Sequence, residues 1–210
     1  MKSGLLFFAK YAYPTTLKSN CGPANPEILR KFIQTSRAPK NIRQILMNFP
    51  NATKNLRLIA RTNGIKDVFD YSVVEAYWVG NKLLNKFPTQ TAPFHLSQLL
   101  KLFRSNQWSP STVRFIEDCR IGCGLVLSVK QPITRNRLIG TAKVLEYWPL
   151  AIKNKSLSFS PSRIKKVKFV DPRIRKNNLI SLHYGYVCSS LTEKQFAQLA
   201  SQTLLRFIHQ

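Results

Sequence analysis

The residues of this chain that could carry chemistry are few: four cysteines and three histidines. A metal centre needs three or four ligands from Cys, His and carboxylates, and the available set is Cys21, Cys119, Cys123, Cys188, His95, His183 and His209. The densest pairing lies in "SLHYGYVC", residues 181–188, where His183 and Cys188 stand five apart. On one regular strand that odd separation sends them to opposite faces, and on a helix it is about 500° of rotation, which also separates them. They share a site only if the strand is broken, for which Gly185 offers a bulge. "CRIGC" has C-x3-C spacing, not the C-x2-C of zinc ribbons. On a strand Cys119 and Cys123 would share a face, although buried cysteine more often serves as a small hydrophobe. "NCGP" sets Cys21 beside a turn and near a helix start, where the dipole favours thiolate; with His95 or His183 as base it becomes a nucleophile. Against that stands a purely structural Gly-Pro turn. Glu75 is the remaining catalytic candidate. It lies in an apolar segment, where a carboxylate needs a partner, and Arg57 or Arg61 would supply a structural ion pair. The cofactor that these residue types would hold is a transition-metal ion.

These groups must be positioned by a folded chain, and the composition allows one. The 210 residues are 44% hydrophobic and 11% aromatic, enough for a packed core. "GLLFFA" is too short for a membrane span and lacks a cleavage site behind it, and widely spaced cysteines do not form a secreted disulfide framework. The expectation is a reduced, cytoplasmic protein. No P-loop, GxGxxG, GxSxG or HExxH is present, which argues against the common nucleotide-binding and hydrolase classes.

Lys and Arg total 33 against nine Asp and Glu, a net charge of +24. Such an excess calls for a polyanionic partner, usually nucleic acid. The cations are spread along the chain, as a general compositional bias would leave them. Only 162–178 clusters them, giving Arg163, Lys165, Lys166, Lys168, Arg173, Arg175 and Lys176 as nucleic-acid candidates. Without an RRM, KH or zinc-finger signature, the binding expected is non-specific.

Periodicity divides the chain near residue 119. Residues 1–118 read as helices, with segments at 26–34, 41–49, 53–64, 94–103 and 110–119, and a long central helix over 71–87. Residues 119–210 read as short strands at 8–12-residue spacing, forming a small antiparallel sheet or barrel. A final helix follows, opened by a Thr192–Gln195 capping box and carrying a stripe through Phe196, Leu199, Leu204 and Phe207. The fold class is α+β: a helical N-terminal region packed on the sheet or barrel, closing with a C-terminal helix, with expected boundaries 1–118 and 119–210 sharing one core.

"FFAKYAYPTTLKSNCGP", "VVEAYWVGN", "FHL", "EDCRIGCGLVL" and "SLHYGYVCSSLT" resemble, in order and spacing, a bacterial family of unknown function. Its members carry "FARYAYPPN…GYCGP", "VVEAYWVGN", "SFHV", "CRI-x-WG" and "SLHWDWVC…LT". The resemblance lifts Cys21, Glu75, Asn81, His95, Cys119, Arg120, His183 and Cys188 as motif positions. Members encoded beside nickel–iron hydrogenase genes imply an accessory or maturation role with a metalloenzyme partner. This chain departs from the pattern where the family's aspartate is Gly185 and where Cys123 replaces a tryptophan.

Overall fold

The computed structural model describes residues 3–17, 26–102, 108–131, 139–153 and 156–208. Two compact units organise it: residues 1–97 together with 197–210, and residues 98–196. The change from helix to strand falls between Cys119 and Gly122, where the periodicity placed it. The end of the last helix belongs with the first unit.

The first unit is helical. Helix α1 (Gly4–Thr16) starts at Ser3, whose hydroxyl accepts the Leu6 N–H, a standard N-cap. It is buried nearly all round, so this helix is the central one. The apolar "GLLFFA" run is its first half, and continuous hydrophobicity over a helix means burial on every side. Phe8 meets Phe49, Phe69 and Trp78 edge-on at 5.5–5.8 Å between ring centres, and Tyr11 stacks on Trp78 at 5.3 Å. Against it pack α2 (Pro26–Thr35) and α3 (Ile42–Met47), and α4 (Pro50–Thr62) packs on α3. Helix α4 starts at Pro50, three residues before the expected Thr53 cap; the Thr53 hydroxyl instead donates back to the Phe49 carbonyl. It ends in a Schellman motif, with Ile65 N–H reaching Ala60 O at 2.9 Å.

The long helix expected over 71–87 does not form. Helix α5 spans Tyr71–Trp78, and a short 3-10 helix follows over Lys82–Lys86. Gly80 breaks the segment at φ +91°, a left-handed conformation that side chains rarely adopt. Asn81 seals the break: its Nδ2 donates to Ser72 O at 2.8 Å and to Glu75 Oε2 at 3.0 Å, while its Oδ1 accepts Leu83 N–H. On a straight helix residues 75 and 81 would point apart; the break joins them. "VVEAYWVGN" is therefore a helix-break motif, with Asn81 as a partner of Glu75.

Among its described residues the second unit holds α7 (Pro110–Cys119) and seven strands. Strands β1 (Gly122–Lys130), β2 (Gly140–Tyr147), β5 (Arg163–Phe169), β7 (Tyr186–Ser190) and β6 (Leu179–His183) close a barrel in that order. Strands β3 (Leu150–Lys153) and β4 (Ser156–Phe159) form a separate hairpin. The barrel is not wholly antiparallel, because β5 and β7 run parallel, joined only at Lys168–Tyr186 and Phe169–Val187. Its interior is Val126, Ala142, Val144, Val167, Phe169, Ile174, Ile180, Leu182 and Val187. The last helix, α8 (Glu193–Ile208), opens with the expected capping box: Thr192 Oγ1 accepts Gln195 N–H and Gln195 Oε1 accepts Thr192 N–H. Among the described residues no helix is long and apolar enough to cross a membrane.

Adding a Cβ at Gly80 would place it 2.5 Å from Gln202 Cγ, on top of the positive φ. Gly80→Ala is expected to cost about 1–3 kcal/mol, lowering Tm by several degrees; an unchanged thermal transition would show that the break tolerates a side chain.

Candidate functional site

Helix α7 positions the site from its two ends. Ser109 caps the start by accepting Thr112 N–H at 3.1 Å, with Pro110 at the first helical position. At the other end the chain leaves the helix as extended backbone at Arg120. The Arg120 guanidinium folds back onto Glu117, Nε to Oε2 at 2.8 Å, and donates to Trp148 O at 2.9 Å. Glu117 Oε2 also accepts Leu150 N–H at 2.9 Å. Both side chains are almost fully buried, 2% and 8% exposed. This pair ties the helix terminus to the turn between β2 and β3.

The same terminus holds the β6–β7 hairpin. Tyr184 N–H donates to Asp118 O at 2.7 Å. Tyr184 and Gly185 are the two turn residues, at φ +48° and +74°, the pair of positive values that a type I′ turn requires. Residues 181–188 are thus a hairpin and not one strand, and Gly185 is a turn residue and not a bulge. The irregularity lies three residues on. Ser181 pairs with Ser189 and Leu182 with Val187, which leaves Cys188 as the extra residue of a β-bulge.

In β6, Ile180 and Leu182 face the barrel interior, so Ser181 and His183 face outward. His183, 1% exposed, and Cys119, 4% exposed, offer ligand atoms within 4.8 Å of each other. Thiolate and imidazole at this spacing need a shift of an ångström or so to share a zinc-like ion at about 2.0–2.3 Å from each. The donor set suits zinc, nickel, copper or iron.

Cys123 and Cys188 lie elsewhere, and His95 belongs to the first unit. Cys119 ends a helix while Cys123 lies in β1, so the two do not share a strand face. Cys188 sits in the bulge with its Sγ 3.9 Å from Tyr186 O. His95 opens α6 (His95–Leu102); its Nδ1 lies 3.1 Å from Tyr77 Oη and its ring 4.7 Å from Trp78. Cys21 and His209 lie outside the described residues. Cys119, Cys123 and Cys188 are outside any disulfide.

Of the seven basic candidates, four are engaged within the fold. Arg163 and Lys165 bind Glu146 at 2.7 and 3.3 Å, Arg173 binds Asp171 at 2.7 Å, and Arg175 donates to the carbonyls of Pro172 and Ile174. Lys168 lies over the Tyr186 ring; Lys166 and Lys176 are exposed.

Sequence reasoning passed over Glu117 and Glu146. Glu146 is 2% exposed and, with Arg163 and Lys165, closes one mouth of the apolar barrel. The signal was scarcity: in a chain with nine carboxylates, one set in "LEYW" between apolar residues has been kept for a purpose inside the fold.

Cys123 is no nucleophile. Burial pushes its thiol up to about 12 from an ordinary 9.0, opposed by nearby Arg120 and reinforced by Glu146. A raised thiol pKa means the fold prefers the neutral form, so its contribution is intact below about pH 9 and lost as pH rises toward 12. The stability difference between the wild type and Cys123→Ala, followed by urea unfolding, is expected to narrow across that window; a difference that stays constant would contradict it.

Glu117→Ala would strand the buried Arg120 charge, at a cost of about 3–5 kcal/mol. Replacing both with apolar residues of similar size is expected to recover much of that loss in urea unfolding. A single variant as stable as the wild type would show that the pair does not hold the helix end.

A family model described as "Family of unknown function (DUF6390)" matches residues 1–113 and 94–209. No curated protein and no solved structure matches the chain significantly.

Proposed function

The chain belongs to this family of unknown function, DUF6390, and from that premise we propose that it handles a transition-metal ion, as an accessory or maturation factor for a metalloenzyme would. The observation that carries this reading is the buried pair Cys119–His183, ligand atoms within 4.8 Å. It is built from two segments 64 residues apart in the chain, both fixed by the α7 terminus. A lone buried cysteine is an ordinary core residue. A cysteine beside an outward-facing histidine, at the only described place where these scarce types are grouped with ligand spacing, favours coordination. Two protein ligands leave positions to be filled. His95 is the third ligand that the family-like motifs nominate, and an ion delivered to a partner needs a coordination shell that a competing donor can open. Nickel is compatible with the donor set, so the hydrogenase association falls within this reading.

The nucleic-acid reading draws on the net charge alone, and four of its seven candidate residues already have partners in the fold. The thiol-enzyme reading rests on Cys21, outside the described residues.

Cobalt(II) reports the site directly. Titrated into the purified protein it is expected to give a thiolate-to-cobalt charge-transfer band with saturable 1:1 stoichiometry. Cys119→Ala should abolish the band and His183→Ala should weaken or abolish it, while Cys123→Ala and Cys188→Ala keep it. His95→Ala reads the third ligand: a changed visible spectrum assigns it, an unchanged one assigns the position to water or a partner. A band that survives Cys119→Ala, or no band at all in a folded protein, would overturn the proposal.

A further inference from the structure

Net charge by itself locates no partner, but the outer face of the barrel concentrates it. Strands β1, β2 and β5 lie side by side in fixed register. Ala142 and Val167 pair and face the interior, so the positions on either side of them face outward. These outward positions form two rows. One row holds Lys130, Thr141 and Lys168; in the next, Lys143 stands directly opposite Lys166. All four lysines are exposed. Among the described residues none of them meets a carboxylate. Like charges directly opposite destabilise an antiparallel pair, and Lys143–Lys166 is such a pair with no acid between them. Unlike Arg163 and Lys165, whose side chains turn to Glu146, these cations are left for something outside the fold.

The barrel's topology indicates what such a face receives. Strand β6, the fourth barrel strand in chain order, returns to lie beside β1. The order β6-β1-β2-β5 is that of a Greek key, and β7 closes it. Five-stranded Greek-key barrels of the oligonucleotide-binding kind take single strands across the face of their second and third strands. Here those strands are β2 and β5, which carry Lys143, Lys166 and Lys168. The likeness is one of architecture and supplies only the place; the charge is this chain's own. Lys166 and Lys168 stand about 6.6 Å apart along β5, so a phosphate backbone lying along the strand meets them in turn. Ile164, 69% exposed on the same outward face, follows them and offers an apolar surface to an unstacked base. Beyond it the cleft carries Glu117 and Asp118, which turn a phosphate chain away. A duplex keeps its bases stacked inside and has none to set on Ile164.

We propose that the outer face of β2 and β5, with Lys143, Lys166 and Lys168 at its centre and Lys130 at its margin, binds single-stranded nucleic acid through its phosphates. The contact is independent of sequence, because lysines aimed at phosphates position a strand without reading its base edges. This surface uses neither Cys119 nor His183 and needs no metal.

Anisotropy of a fluorescein-labelled twelve-nucleotide oligothymidylate, titrated with the full chain at about 50 mM salt, tests this. Binding is expected to weaken steeply as salt rises, through release of counterions. Lys143→Glu should weaken it about tenfold and flatten the salt dependence. The same variant should keep or raise Tm, because a Lys–Lys opposition becomes a Glu–Lys pair; a lysine with a purely structural role would lower it. Lys54→Glu, the same charge change on the exposed face of α4, should weaken binding less than about twofold. A duplex of the same length is expected to bind about tenfold more weakly than the single strand, despite its higher charge density. Four outcomes would overturn the proposal: no binding of the single strand; equal losses in Lys143→Glu and Lys54→Glu, which would assign binding to the diffuse net charge; a duplex bound as tightly as the single strand; or tighter binding to phosphatidylserine vesicles than to the strand, which would assign the face to a membrane surface.

Discussion

The Glu117–Arg120 pair is the constraint on which the second unit depends. A carboxylate and a guanidinium taken almost wholly out of water need their remaining hydrogen-bonding positions satisfied, and here the backbone and Arg163 contribute. Glu117 takes the Leu150 N–H and Arg120 gives to Trp148 O. These bonds fix where the helix stops, how β1 begins and where the β3–β4 hairpin leaves the barrel. Cys119 lies between the two charged residues in the chain and inherits its position from them. The hairpin carrying His183 is then held to the same helix terminus by the bond from Tyr184 to Asp118.

Carboxylates are scarce in this chain, and seven of the nine hold a partner within the fold. Glu117, Glu146 and Asp171 are buried and each holds an arginine. Asp70 caps α5 through Ser72 N–H. Asp67 binds Arg43 at 2.7 Å, which holds its carboxyl below the usual range. Glu27 pairs with Arg30 one turn along α2, and Glu75 holds the helix break through Asn81. A basic chain that engages most of its acids in local pairs and caps leaves a surface excess of cations, whose net field is easily screened. The charge therefore describes what the surface attracts; the fold is set by where the nine acids go.

The turn at 184–185 also explains how this member departs from the family pattern. The position of the family's aspartate adopts φ +74° here, a conformation that glycine takes freely and Asp or Asn tolerates. A Cβ at Gly185 would meet no atom within 4 Å. The aspartate that the resemblance places at this position would also be a turn-forming residue.

Local signals carried much of this protein. The capping box at Thr192, Pro110 after Ser109, the change of period near 119 and the closing helix were all legible, because caps and amphipathic periods depend on residues a few positions apart. What depended on long-range geometry was not. A run from Tyr71 to Phe87 has a helical pattern, yet Gly80 turns the backbone at φ +91°, with Gln202 packed where a Cβ would sit. His183 and Cys188, near in sequence, are separated by a hairpin and a bulge, while Cys119 and His183, far apart in sequence, converge. Composition named the few residues able to bind a metal. Only the tertiary structure decided which two meet, because that meeting is made by a buried ion pair and a backbone hydrogen bond, and neither leaves a periodicity to read.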